Sequence, residues 1–196
     1  NNPNNTVARP QFLPFLENNE TIVSYGVYLQ DQIDIGENLR LLVGGRYDWV
    51  SYVNEIADFG ILGNTIDDPV QSDGAFSPRI GLVYQPSDTL SLYASYSQSF
   101  RQSTGFNPDG SAFEPTRGTQ YEIGIRTDLI ENRLSANLAV YRITKTNITT
   151  TSAVNSLFSV QTGEARSQGI ELDISGEILP GWNIIASYAY TDAEVT

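Results

Sequence analysis

Eight segments of this 196-residue chain alternate apolar and polar side chains with period two. They are Thr21–Asp34, Leu39–Val53, Phe76–Gln85, Thr89–Arg101, Arg117–Leu129, Asn132–Asn147, Glu164–Glu177 and Gly181–Glu194. In the second, Leu39, Leu41, Val43, Gly45, Tyr47 and Trp49 fall on one face, and Arg40, Leu42, Gly44, Arg46 and Asp48 on the other. In the fifth, Tyr121, Ile123 and Ile125 oppose Gln120, Glu122, Gly124 and Arg126. Successive side chains of a strand point to opposite sides of its sheet, so these are two-faced strands. Residues 1–20 precede them and read as an external loop or linker.

The connections come in two kinds that alternate strictly. Short turns lie at Ile35–Asn38, Pro86–Asp88, Ile130–Glu131 and Ile178–Pro180, where Gly, Pro, Asp and Asn suit tight hairpins. Long polar connections lie at Asn54–Ala75, Gln102–Thr116 and Ile148–Gly163. All the long loops therefore fall at one end of an antiparallel meander, as in outer-membrane barrels. Strands of about 10 to 14 residues, rising about 3.3 Å each and tilted near 40°, cross roughly 25 to 35 Å.

The aromatic residues add a test. With the short turns inside, Tyr25, Tyr47, Trp49, Tyr96, Tyr121, Tyr188 and Tyr190 gather at the outer end of the apolar face. Tyr84 and Trp182 lie at its inner end, with aliphatic residues such as Leu41, Val43, Leu92, Ile123, Ile125 and Leu172 between. Rings at both rims with aliphatics between make the interfacial girdle of a bilayer-spanning barrel. Those six aliphatic residues should then be exposed in the isolated chain, because lipid covers them and no protein core does.

Composition narrows the chemistry. Cysteine, histidine and methionine are absent, so no thiolate or imidazole nucleophile, base or metal ligand exists in this chain. The reading is of a non-enzyme with no intrinsic cofactor and no metal site. A net charge of −12 argues against nucleic acid as a partner. No apolar run reaches the roughly 18 residues of a membrane helix, which leaves a strand-built barrel open. No signal peptide is visible.

Eight strands could close into a small barrel. The polarity above sends both chain ends outward, however, whereas complete barrels end on the inner side. The last residues, Thr191–Thr196, also lack a terminal aromatic. The expectation is a slice of a larger barrel.

The residues themselves resemble a family. Gly26-Val27-Tyr28-Leu29-Gln30-Asp31-Gln32 and Leu42-Val43-Gly44-Gly45-Arg46-Tyr47-Asp48 look like consecutive barrel strands of TonB-dependent siderophore receptors, the ferrichrome-receptor type especially. Phe76-Ser77-Pro78-Arg79-Ile80-Gly81-Leu82-Val83-Tyr84 and Leu92–Arg101 continue the likeness. So do Tyr121–Arg126, Gly163–Glu171 and Tyr188–Asp192. The resemblance implies a barrel of about 22 strands in the bacterial outer membrane, with a plug domain inside it. It also implies ferric siderophores bound between plug and outer loops, and transport driven through TonB. Plug, TonB box and closing strand are absent from this sequence.

The polar face carries Arg40, Arg46, Asp48, Arg79, Arg101, Glu122, Arg126, Asp128, Asn137, Glu171, Asp173 and Asn183. Plug packing and solvation are the ordinary roles of such a stripe. For ligand contact the choice falls on Arg101, Phe106 and Arg117 at the outer mouth, because Arg and aromatic side chains suit an anionic or catecholate chelate. The loop Gln102–Thr116 is expected to bring the two arginines together. The competing role for them is contact with lipopolysaccharide phosphates. Competing functions are a small structural or adhesin-type barrel, and a TonB-dependent receptor for cobalamin, haem or a glycan.

Overall fold

Strands with one apolar and one polar face need a partner on each edge and a nonaqueous surface on one side. The computed structural model supplies the first directly. It describes residues 16–58, 65–67, 70–107, 109–130, 133–152, 159–161 and 163–195. Within them the long strands are β1 (Leu16–Ile35), β2 (Leu39–Asp58), β4 (Gln71–Ser87), β5 (Leu90–Arg101), β6 (Thr116–Leu129), β7 (Leu134–Thr146), β10 (Glu164–Leu179) and β11 (Trp182–Val195). Three short strands, β3 (Thr65–Asp67), β8 (Thr149–Thr151) and β9 (Ser159–Gln161), lie inside the long connections. The sheet order is β1-β2-β4-β5-β6-β7-β10-β11, so sequence neighbours pair and β1 and β11 are its two edges. Every pairing with a described register is antiparallel. The fold is the expected all-β antiparallel meander.

Three differences from the expected outer boundaries follow from position. Strand β1 begins at Leu16, so residues 16–20 are strand, where an external segment was expected. Strand β2 runs on to Asp58, and β4 starts at Gln71. The outer ends of β1 and β2, with the stretch that follows β2, form one compact unit, and the rest of the chain forms another. In the first unit, β3 pairs with β2 at Glu55↔Asp67, Ile56↔Ile66 and Ala57↔Thr65, and the Ser51 and Ser72 hydroxyls meet at 2.7 Å.

The second unit shows where the core is missing. Among the described residues of the whole chain, the only buried apolar side chains are Tyr52, Ala75, Phe113 and Ala139. On the interior strands β5, β6 and β7, by contrast, Leu92, Ile123, Ile125, Leu138 and Val140 are all exposed, Ile123 at 60%. Burying such a side chain stabilises by about 1.5–3 kcal/mol, so a water-soluble sheet would not leave a continuous apolar face uncovered. Val43 is also exposed. Leu41 and Leu172, expected to be exposed, are half-buried. Leu172 lies in register between Leu138 and Tyr188.

The opposite face is crossed by tyrosines lying over glycines. Tyr93 of β5 passes over Gly124 of β6 and reaches Asn137 of β7, with Tyr93 Oη 3.4 Å from Asn137 Oδ1. A Cβ on Gly124 would sit 2.3 Å from the ring. Tyr141 of β7 likewise passes over Gly169 of β10 to meet the Thr191 hydroxyl at 2.8 Å. Both glycines clear a path that any side chain would close. At the short-turn end, the Glu177 carboxylate accepts the Gly181 N–H at 2.5 Å and lies 3.8 Å from Arg133.

Candidate functional site at the outer loops

The loop between β5 and β6 is itself folded. Phe106 and Ala112 form an antiparallel bridge, and Asn107 N–H donates to Ser111 O at 2.7 Å. Gly110 N–H donates back to Asn107 O at 2.9 Å, closing the tip with Gly110 at φ 85°. The Asp109 carboxylate accepts the Ser111 hydroxyl at 2.7 Å and the Ser111 N–H at 2.9 Å, and these donors hold its carboxyl below the usual carboxylate range. Phe113, 4% exposed, packs against Gly105 and donates its N–H to Gly105 O at 2.9 Å. At the root, the Ser103 and Thr116 hydroxyls meet at 3.0 Å.

This hairpin is clasped to the segment after β7. Glu114 N–H donates to Gln161 Oε1 at 2.7 Å, while Gln161 Nε2 donates to Glu114 O and, at 3.1 Å, to Asn147 O. Asn147 Nδ2 donates to Glu114 Oε2 at 3.2 Å and to Pro115 O at 3.1 Å. Asn147 adopts φ 59°, a left-handed conformation that Asn tolerates better than most residues. One side-chain amide thus satisfies both backbone groups of Glu114, and a second closes the joint.

The residues singled out from sequence are placed differently. Arg101 pairs with Thr116 and Phe100 with Arg117, with no register break between there and Leu90↔Thr127. Strand parity puts Arg101 on the face of Ser95 and Ser97, and Arg117 on the face of Tyr121 and Ile123. The structure does not bring Arg101 and Arg117 to one site: the expectation that the loop would do so is corrected by the pleat. Phe106 is half-buried in the hairpin. Sequence reasoning missed Gln102, both of whose side-chain amide atoms are buried without a hydrogen-bond partner among the described residues. It also missed the clasp residues Asn147 and Gln161.

On the polar face below the mouth, neighbouring groups satisfy one another. Arg46 lies 2.6 Å from Asp48, Gln120 Nε2 donates to Glu122 at 3.1 Å, and the Ser187 hydroxyl donates to Asp173 at 2.7 Å. Among the described residues no cluster of acidic or other ligating side chains could hold a metal ion. What the arrangement presents is a wall with one lipid-type face, one hydrated face and an ordered rim.

Such a wall defines a class, the strand-built membrane-spanning proteins. Comparison narrows it: residues 1–196 match the family described as TonB dependent receptor-like, beta-barrel. The chain belongs to that family, an outer-membrane family of receptors. It is 36% identical over 190 residues to a metal-pseudopaline receptor of Pseudomonas aeruginosa, a match covering 96% of this chain and 27% of that protein. It is 36% identical over 173 residues to the ferrichrome outer membrane transporter/phage receptor of Escherichia coli, covering 87% of this chain and 22% of that protein. The solved alcaligin outer-membrane receptor FauA of Bordetella pertussis superposes with a TM-score of 0.71 at 27% identity, over 91% of this chain and 31% of that one. The chain thus spans about a quarter of these relatives' lengths.

Proposed function

We propose that this chain is a section of the barrel wall of an outer-membrane receptor that takes up ferric siderophores, energised through TonB. The observation that carries it is the ordered rim: two long loops clasped through Asn147 and Gln161 beside Arg101. The relatives named for ferrichrome and ferripyoverdine support the same cargo class. The plug and TonB are the partners of the polar face and of the full-length protein. Lipid and lipopolysaccharide are the partners of the apolar face.

Arg101 and Gln102 are the contacts assigned to the chelate, with Phe106 covering its apolar part. An Arg forks onto carboxylate, hydroxamate or catecholate oxygens, and the buried Gln102 amide has no partner among the described residues, one that such a ligand would supply. Arg117 is assigned to the lipid side. In the full-length protein, Arg101→Ala should weaken ferric-siderophore binding about tenfold or more, since a charge-assisted bond is worth about 1.5–3 kcal/mol. Arg117→Ala should leave it unchanged. Equal effects of the two substitutions in titrations with radiolabelled iron chelates would refute the assignment.

A second reading concerns the metal. The relative named for a metal–pseudopaline complex is as similar as the ferrichrome transporter, so a chelate of another transition metal is the alternative cargo. Uptake assays with one chelator loaded with iron, zinc or nickel separate the two.

A further inference from the structure

We propose that the chelate taken up is anionic, with at least two negative groups, and that Lys145 of β7 is its second cationic contact, opposite Arg101. The inference rests on the uptake reading above and names the charge class of its cargo. The register sets Ser99, Gly118, Lys145 and Ala165 in a single row across β5, β6, β7 and β10. Arg101 and Thr116 form the next row outward. Partners in a ladder share a face, and Ser99 and Arg101 are two residues apart, so both cations stand on the polar face.

The ground between them is open. Gly118 separates the two cations and carries no side chain. A Cβ there would meet the Ser99 hydroxyl at 2.8 Å and nothing from β7. Ala165 continues the low floor on the far side of Lys145. Two strand spacings across and two residues along put the Arg101 and Lys145 Cα atoms roughly 12 Å apart. A chelate with two separated anionic groups bridges that gap, whereas a single small anion reaches one cation only. The rim is held at this spacing, since the Thr116 hydroxyl donates to Asn147 O at 3.0 Å and so ties the start of β6 to the end of β7.

Charge identifies the cargo. Arg101 and Lys145 are exposed, and among the described residues no carboxylate lies within ion-pair distance of either. Deeper on the same face the polar groups answer one another, as Arg46 does Asp48 and Gln120 does Glu122. On β5, β6, β7 and β10, the first carboxylate inward of Lys145 on this face is Glu122, in register with Tyr141. That row is four residues down, roughly 13 Å. The carboxylates of the β5–β6 loop are engaged, Asp109 by Ser111 and Glu114 by Asn147. The mouth of this wall is therefore cationic in a chain of net charge −12. A ferric trihydroxamate has no net charge and gives the second cation little to hold. A ferric chelate built on catecholates or carboxylates keeps negative charge on more than one side. The Arg101 fork fits paired oxygens, while the Lys145 ammonium, a point charge on a flexible stem, accepts them in many orientations.

The test titrates the full-length protein in detergent with ferric citrate, a ferric tris-catecholate and an uncharged ferric trihydroxamate. At least one anionic chelate should bind about tenfold or more tightly than the neutral one, and added salt should weaken the anionic binding alone. Lys145→Gln should lose about tenfold or more for that anionic chelate and leave the neutral one unchanged. Lys145→Arg should retain binding, because it keeps the charge. Arg142→Gln, on the same strand but the apolar face, should bind all three as the unaltered protein does. Equal or tighter binding of the neutral chelate, or unchanged anionic binding by Lys145→Gln, overturns the inference and leaves the uptake reading standing. Binding of none of the three counts against the uptake reading itself, and the inference falls with it. Should Lys145→Gln fold poorly, salt decides: anionic binding that does not weaken as salt rises overturns the assignment.

Discussion

Ile125 tests the assignment of faces more sharply than any other residue. It lies in register between Leu92 on β5 and Leu138 on β7, in a row that continues to Leu172 and Tyr188. It is four residues inward from Tyr121, about 13 Å along a strand and about 10 Å in depth at a tilt near 40°. That is close to the middle of an apolar band about 25 Å tall. Ile125→Arg should therefore cost about 2–4 kcal/mol, the range for a cation on the lipid face at the bilayer midplane. Losing the cross-strand packing with Leu92 and Leu138 adds roughly 0.2–1 kcal/mol per pair. Tyr121→Arg, at the girdle, should cost about 0–1 kcal/mol for the charge plus about 0.5–1.5 kcal/mol for the Tyr96 ring lost at 5.1 Å. Gln120→Arg, on the polar face beside Glu122, should stay within about 1 kcal/mol of the unaltered protein. Urea titration of the full-length protein refolded into lipid vesicles measures all three, with midpoints shifting at constant slope. If Gln120→Arg costs as much as Ile125→Arg, the faces are wrongly assigned.

Gly169→Ala should destabilise by about 1–3 kcal/mol, because the new Cβ would come 2.3 Å from the Tyr190 carbonyl oxygen, a backbone atom. Gly124→Ala meets only the far end of the Tyr93 side chain, which can swing aside, so the same titration should show a smaller loss. Gln161→Ala removes the clasp on Glu114 and should speed hydrogen exchange of the Glu114 amide about tenfold or more, with the amides of β6 unchanged; an unaltered Glu114 rate would show that the loops are held some other way. The Asp109 carboxyl is lowered by its Ser111 donors, so its ordering of the loop is present above the ordinary carboxylate range and lost as pH falls through the depressed value. Protection of the Ser111 amide, taken relative to its intrinsic exchange rate at each pH, should fall only below that range.

The long strands were legible because lipid on one side and a hydrated interior on the other force alternation along their whole membrane-crossing length. The signal fades where both faces meet water. That explains why β1, β2 and β4 extend past their expected outer ends, to Leu16, Asp58 and Gln71. Strands β3, β8 and β9 have three residues each, too few to show any period. The clasp was hidden for a different reason: Gln161 and Glu114 lie 47 residues apart, and nothing local marks either as a partner.

The arginines at the mouth show what alternation could have decided. Arg101 and Arg117 flank one loop, and closeness along the chain suggested one site. The hairpin below that loop is in unbroken register from Leu90↔Thr127 to Arg101↔Thr116. Partners in such a ladder share a face, so Arg101 goes with Thr116, and the next residue, Arg117, goes with Phe100 to the other side. Counting two at a time from Ile125 through Ile123 and Tyr121 reaches Arg117 without any structure. The same count from Leu138 through Val140 reaches Arg142, and in β10 from Leu172 through Ile170 it reaches Gln168 and Arg166. Three arginines thus stand toward the outer end of the apolar face, Arg142 level with Tyr121, and Arg117 and Arg166 beyond it. A charge there costs little near the interface and rises steeply with depth, so such residues collect where headgroup phosphates, not a transported chelate, are within reach. The parity that defines the apolar face therefore also divides the outer cations between two faces, with Arg101 on the polar side and Arg117, Arg142 and Arg166 on the apolar side.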